Sequence, residues 1–125
     1  MEKTVAIIQA RLTSARFPKK ILQKIKKQSL IEFLVKRVKA SKKIDQVVVA
    51  VPNNKENKAI KKYLKNIDIF RGSENDVLDR YYKTAKKFKA NTIVRICGDC
   101  PFVDPLIIDK LLLLLNDGDY DYVSN

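Results

Sequence analysis

Val5-Ala6-Ile7-Ile8-Gln9-Ala10-Arg11-Leu12-Thr13-Ser14-Ala15-Arg16-Phe17-Pro18-Lys19-Lys20-Ile21-Leu22 decides how the rest of this chain is read. The stretch opens as a short apolar run, with the continuous hydrophobicity of a parallel strand buried on both faces. It then turns polar, carrying Arg11, Thr13, Ser14, Arg16, Lys19 and Lys20 before apolar character resumes at Ile21. In an open α/β sheet, ligands bind in the crevice outside the carboxyl ends of the strands. Four cations following a first strand suit a polyphosphate there, and backbone N–H groups add to the attraction. The same cations also read as the solubilising charge of a lysine-rich surface loop, and this stretch alone leaves the two readings level.

Residues 94–105, V-R-I-C-G-D-C-P-F-V-D-P, tip the balance. They contain the end of a second apolar strand, followed by Gly98 and Asp99, and the usual winding of such sheets sets that strand beside the first. A carboxylate facing a cationic loop suits a metal ion together with a phosphate. Another informative loop, residues 71–76 (R-G-S-E-N-D), follows a short strand expected over residues 67–70.

Together these stretches resemble the nucleotidyltransferases that make CMP-activated sugars. The resemblance is to the cytidylyltransferase-like proteins of spore-coat and surface polysaccharide synthesis, and more distantly to the acylneuraminate and 3-deoxy-manno-octulosonate cytidylyltransferases. Residues 8–20, 70–82, 95–105 and 121–125 carry it, in that order along the whole chain. It implies an α/β fold of three α/β/α layers, the Rossmann-like nucleotide-diphospho-sugar transferase type, with a mainly parallel sheet. The activity implied is transfer of CMP from CTP to a sugar or sugar acid, with release of pyrophosphate and with Mg2+ as cofactor. Carried over residue by residue, Ala10, Arg11, Ser14, Arg16 and Lys20 contact the nucleotide, with Lys20 nearest the α and β phosphates. Asp99 holds the metal, and Arg16, Lys20 and Asp99 form the catalytic set. Arg71, with the backbone of Gly72 and Ser73, reads the base. Asp79 and Arg80 stand one helical turn further along, a position that suits orienting this loop better than touching ligand. Two positions depart from the pattern, since many relatives have glycine where this chain has Thr13 and Lys19. Relatives also continue beyond the fifth strand into sugar-binding residues, a second metal-binding carboxylate and a dimerisation arm. The chain therefore corresponds to the N-terminal nucleotide-binding portion, and a homodimer remains open.

Length and composition agree with a single domain: 125 residues, 46% of them hydrophobic, can bury one respectable core. Met1-Glu2-Lys3-Thr4 leads straight into a strand-sized run with no secretory signal. The longest apolar stretch, residues 111–115, is far shorter than the ~20 residues that span a bilayer. A cytoplasmic location and no membrane partner are the expectation. Cys97 and Cys100 have neither a second cysteine pair nor any histidine to complete a tetrahedral metal set, and read as small reduced side chains packed near Asp99.

The net charge of +12 raises nucleic acid as a partner. Its distribution argues the other way. Residues 1–65 hold 18 basic against 4 acidic side chains, +14, while residues 66–125 hold 8 against 10, −2. Most of the excess falls on expected helix faces and in residues 23–28, without interleaved aromatics for base stacking. A solvated lysine surface is the simpler reading. A non-catalytic nucleotide- or sugar-nucleotide-binding module and a basic nucleic-acid-binding domain stand as alternatives. A dinucleotide oxidoreductase has little support, because residues 10–20 contain no glycine.

Helices and strands are expected to alternate. Ser29-Leu30-Ile31-Glu32 has the form of a capping box, opening a helix with Leu30, Phe33, Leu34 and Val38 inward. A strand over 46–51, a helix over 55–65 showing Ala59, Ile60, Tyr63 and Leu64, and the strand over 67–70 follow. A helix over 76–89 should turn Val77, Leu78, Tyr81, Ala85 and Phe88 inward, with Ser73 or Asn75 as its cap and Asp76 in its first turn. After the strand over 92–97, Asp104 should cap a helix that Pro105 opens, with Ile107, Ile108, Leu111, Leu112 and Leu115 in the core and Asp117-Gly118 at its end. A fifth strand over 119–123 would put Ser124 and Asn125 on the ligand side. The expected strand order is 3-2-1-4, with the fifth beside the fourth.

Overall fold

The computed structural model describes residues 3–10, 24–25, 28–53, 61, 64, 66–98, 103–118 and 121–124. In chain order they form β1 (Thr4–Gln9), β2 (Lys24–Ile25), β3 (Gln28–Ser29), α1 (Leu30–Lys39), β4 (Gln46–Pro52), β5 (Asp68–Gly72), α2 (Val77–Lys87), β6 (Thr92–Cys97) and α3 (Pro105–Asp117). The four long strands make one sheet in the order β5-β4-β1-β6, and every pairing in it is parallel. This is the expected 3-2-1-4 arrangement.

Parallel strands with helices over both faces must be apolar on both sides, and β1 shows why its sequence does not alternate. Ala6 and Ile8 face one way, joining Ile31, Leu34 and Val38 of α1 and Ile108 and Leu112 of α3. Val5 and Ile7 face the other way, against Tyr81 and Ala85 of α2. The result is the three-layer α/β/α stack. Each fully buried valine or isoleucine contributes about 1.5–3 kcal/mol of transfer free energy, which makes the doubly covered strands β1 and β4 the stable centre.

Hydrogen bonds at the amino edge fix the register. The Thr4 N–H donates to Asp45 Oδ2 at 2.7 Å, and the Asp45 N–H donates to the Thr4 carbonyl at 2.9 Å. The Lys3 N–H donates to Asn91 Oδ1 at 2.8 Å. With the starts of β1, β4 and β6 held level, their carboxyl ends emerge side by side.

Elsewhere the details differ from expectation. Residues 24–29 contain a two-residue antiparallel pairing of β2 with β3 that the lysine-rich sequence did not announce. In α1 the inward residues are Ile31, Leu34, Val35 and Val38, while Leu30 and Phe33 are only half-buried. In α2 the buried set is Arg80, Tyr81, Thr84 and Ala85, and Leu78 is 72% exposed. Asp76 is itself the N-cap of α2, its carboxylate accepting from the Asp79 N–H at 3.0 Å, while Ser73 Oγ accepts from the Asp76 N–H at 3.2 Å. The helix stops at Lys87, and Lys89 takes a left-handed φ of 55°. The Ala90 and Lys89 N–H groups return to the Ala85 and Lys86 carbonyls, a Schellman closure on a lysine.

Asp104 and Pro105 open α3 and Gly118 ends it, as expected. Its apolar face is less covered than its composition suggests: Ile108 and Leu112 are buried, but Ile107, Leu113 and Leu114 are exposed. Among the described residues α1 is its helical neighbour, and Ile108 and Leu112 share a core cluster with Ile96 of β6. Residues 121–124 form no strand, so the expected fifth strand is absent there. The helix expected over 55–65 lies outside the described residues apart from 61 and 64, and Leu64 is buried in the core. No described helix is long and apolar enough to cross a membrane.

Asp109 of α3 ties the end of α1 down. Ser41 Oγ donates to Asp109 Oδ1, and the N–H groups of Lys42 and Lys43 reach the same carboxylate at 3.3 Å. Burial works to raise its pKa, but the bonds from Ser41, Lys42 and Lys43 outweigh it and the net shift is downward. A lowered folded-state pKa gives stability that is present above the ordinary carboxylate value and is lost as pH falls through the folded one. Asp109→Asn should therefore cost roughly 1 kcal/mol at pH 7. In denaturation curves, its gap from wild type should close as pH falls below about 4.

Candidate functional site

β1, β4, β5 and β6 run parallel, so their carboxyl ends share one edge of the sheet. The Gly98 N–H, just past β6, donates to the Gln9 carbonyl at 2.8 Å, and the Ala10 N–H, just past β1, donates to the Ala50 carbonyl at 3.0 Å. A Cβ on Gly98 would stand 2.7 Å from the Gln9 oxygen and 3.3 Å from Ala10 Cβ. Gly98 does not serve a left-handed turn, as no described glycine has positive φ. It lets the backbone leaving β6 lie directly against the backbone leaving β1. Ala10, buried in the core, is thus in contact with the residue that precedes Asp99 in sequence.

Of the expected site residues, Ala10, Arg71, Gly72 and Ser73 are among those described. Arg11, Ser14, Arg16, Lys20 and Asp99 lie outside the described residues, as does Cys100. Arg71 and Gly72 are still part of β5, with Arg71 exposed and Gly72 and Ser73 half-buried. The Asn53 N–H donates to the Gly72 carbonyl at 2.9 Å and keeps the ends of β4 and β5 together. With strands about 4.8 Å apart, β5 lies about 10 Å from β1 and about 14 Å from β6 along the same edge.

Beneath residues 72–74 lies Arg80, 1% exposed. Its Nε donates to the Ser73 carbonyl at 3.0 Å and its Nη2 to the Glu74 carbonyl at 3.4 Å. Arg80 orients the loop, as expected. Asp79, expected to share that role, instead pairs its carboxylate with Lys83 Nζ at 3.3 Å on α2.

Tyr81 was expected only in the apolar stripe of α2. In the structure its hydroxyl donates to the Ile96 carbonyl at 3.3 Å, and the Arg95 guanidinium lies 4.5 Å from its ring centre. Burial pushes the phenol pKa up against the opposing pull of Arg95, which keeps the hydroxyl a proton donor. The signal was a tyrosine at a buried helical position, where the O–H needs a partner. Cys97, expected to pack, is exposed at the end of β6. A cavity of about 360 Å³ opens at the opposite, amino edge, between Lys39, Asp45, Gln46 and Asp68. No motif residue lines it.

Known proteins share both the sequence and the fold of this chain. The spore coat polysaccharide biosynthesis protein SpsF of Bacillus subtilis is 35% identical over 133 aligned residues, covering 100% of this chain and 55% of SpsF. A cytidylyltransferase structure from Leptospira borgpetersenii superimposes with a TM-score of 0.88 at 34% identity, over 95% of this chain and 51% of that one. A CMP:2-keto-3-deoxy-manno-octonic acid synthetase solved with CTP shares the fold, with a TM-score of 0.80 at 24% identity over 93% of this chain and 48% of that one. The chain spans about half the length of these relatives. The sequence model described as Cytidylyltransferase matches residues 5–125, nearly the whole of the chain, and the chain belongs to the cytidylyltransferase family.

Proposed function

We propose that the chain is the nucleotide-binding portion of an enzyme that transfers CMP from CTP to a sugar or sugar acid for surface polysaccharide or glycoconjugate synthesis. The observation that carries this is the contact of Gly98 with Gln9 and Ala10, which starts the 11–20 and 99–105 segments from one point on the sheet edge. Family membership, the likeness to SpsF and the CTP held by a protein of the same fold support it.

In the reaction an acceptor oxygen attacks the α-phosphorus, a new P–O bond forms, and the bond to pyrophosphate breaks in line. Catalysis is then mainly positioning and charge stabilisation, and no nucleophilic side chain is needed. Arg11, Arg16 and Lys20 hold the triphosphate, with Lys20 nearest the α and β groups, while Ser14 and the loop amides donate hydrogen bonds. Arg71 with the Gly72 and Ser73 backbone meets the base. Mg2+ commonly takes only one or two protein carboxylates alongside phosphate oxygens and water, a demand that Asp99 fits. When bound, it neutralises charge on the phosphates.

Pyrophosphate release from CTP, with Mg2+ and a panel of sugar acids, tests this reading. Arg16→Ala should weaken CTP binding about tenfold or more through loss of a charge-assisted contact. An unchanged affinity in that variant would contradict it. Since the chain spans about half of its relatives, a second reading is a binding module without turnover, marked by CTP binding with no pyrophosphate under any acceptor.

A further inference from the structure

We infer that Arg80 is a positioning residue that sets which base the site accepts, by fixing the 73–74 and 74–75 peptide planes of the loop. The inference rests on the proposal that residues 71–73 meet the base. A guanidinium held at 1% exposure inside α2 is costly to desolvate, and its presence there calls for strong compensating bonds. It spends two of its donors on the loop, Nε on the Ser73 carbonyl and Nη2 on the Glu74 carbonyl. Its carbon stem lies under Gly72, where an added Cβ would stand 2.8 Å from Arg80 Cγ and 3.1 Å from Phe70 Cε1. From above, the Asp76 N–H bond to Ser73 Oγ closes the same loop. Thr84 Oγ1, fully buried, donates to the Arg80 carbonyl at 2.6 Å and joins this turn of the helix to the next.

Peptide units are planar, so aiming two successive carbonyls at one guanidinium fixes which edge of each plane faces away from it. Cytosine and uracil differ in that edge-reading chemistry: cytosine offers an amino donor and a ring acceptor where uracil offers an acceptor and a ring donor. A loop whose planes are set before binding can tell them apart without an ordering cost. Lysine cannot substitute fully, because only the rigid guanidinium fork reaches both carbonyls.

The test uses Arg80→Met, which keeps the packed stem and removes the donors, Arg80→Lys, and calorimetric titration with CTP, UTP and inorganic tripolyphosphate. Arg80→Met should bind tripolyphosphate within about twofold of wild type, lose about tenfold in CTP affinity and bring the CTP-to-UTP ratio toward one, with Arg80→Lys between them. Amide hydrogen exchange at residues 72–76 should quicken in Arg80→Met. Equal losses for CTP and tripolyphosphate, or an unchanged CTP-to-UTP ratio, would overturn the inference. Should Arg80→Met not fold, Gly72→Ala, which forces the loop off the arginine, must show the same pattern. A wild-type chain that binds CTP and UTP alike defeats the base-reading proposal and the selectivity claim with it, whereas unchanged exchange in the variant defeats the role of Arg80 alone.

Discussion

Replacing Asp99 by asparagine is expected to lower Mg2+-dependent pyrophosphate release by about a thousandfold, the loss of several kcal/mol of charge stabilisation. The amide is nearly isosteric with the carboxylate, so folding should be unaffected, and the deficit should lie in kcat/KM. In the role proposed for Asp99, the carboxylate supplies the protein's negative charge to a metal that also meets phosphate oxygens. Titrating Mg2+ separates this from a packing role. Wild-type affinity for CTP should rise with Mg2+, and that of Asp99→Asn should not. A variant whose Mg2+ response matches wild type would remove Asp99 from the site.

Gly98→Ala should lower stability by about 2 kcal/mol and weaken CTP binding about tenfold or more. The added Cβ would meet the Gln9 carbonyl oxygen at 2.7 Å, and that oxygen cannot retreat without breaking the bond it accepts from the Gly98 N–H. Relief requires the end of β6 to part from β1, the juncture on which the proposed site depends. Gly118→Ala is the matched control. Gly118 has φ −118° and ψ 171°, extended backbone that any residue adopts, and the change should be close to neutral. Denaturant midpoints for the two variants, with CTP titrations, give the comparison.

The strand order was legible because residues 5–8, 46–51 and 92–97 are short apolar runs separated by helix-length segments, and chirality leaves few ways to wind them. The caps at Asp104 and Gly118 were legible because their chemistry is local. What failed depends on partners distant in sequence. Leu78 completes a helical stripe on paper, yet α2 turns Arg80 and Thr84 inward because Arg80 has the carbonyls of residues 73 and 74 to satisfy. A helix rule that sends arginine outward has no access to that loop. Ile107 and Leu114 are apolar and exposed for the opposite reason, since composition records what a helix can bury and not how much surface its neighbours cover. Asp76 took the cap because Ser73 Oγ was engaged with the Asp76 N–H. For the loop over residues 71–76, Arg80 was expected to orient it, and the structure bonds Arg80 to the Ser73 and Glu74 carbonyls. That Gly98 was needed for a close approach of two strands became visible only with β1 and β6 side by side.

Calorimetric titration of the chain with CTP and with ATP, each with and without Mg2+, bears most directly on the claim that the sheet's carboxyl edge is a cytidine nucleotide site. Saturable binding of one CTP per chain, strengthened by Mg2+ and at least about tenfold tighter than ATP, is the result expected. Equal binding of the two nucleotides, or no saturable binding of CTP at all, would contradict it.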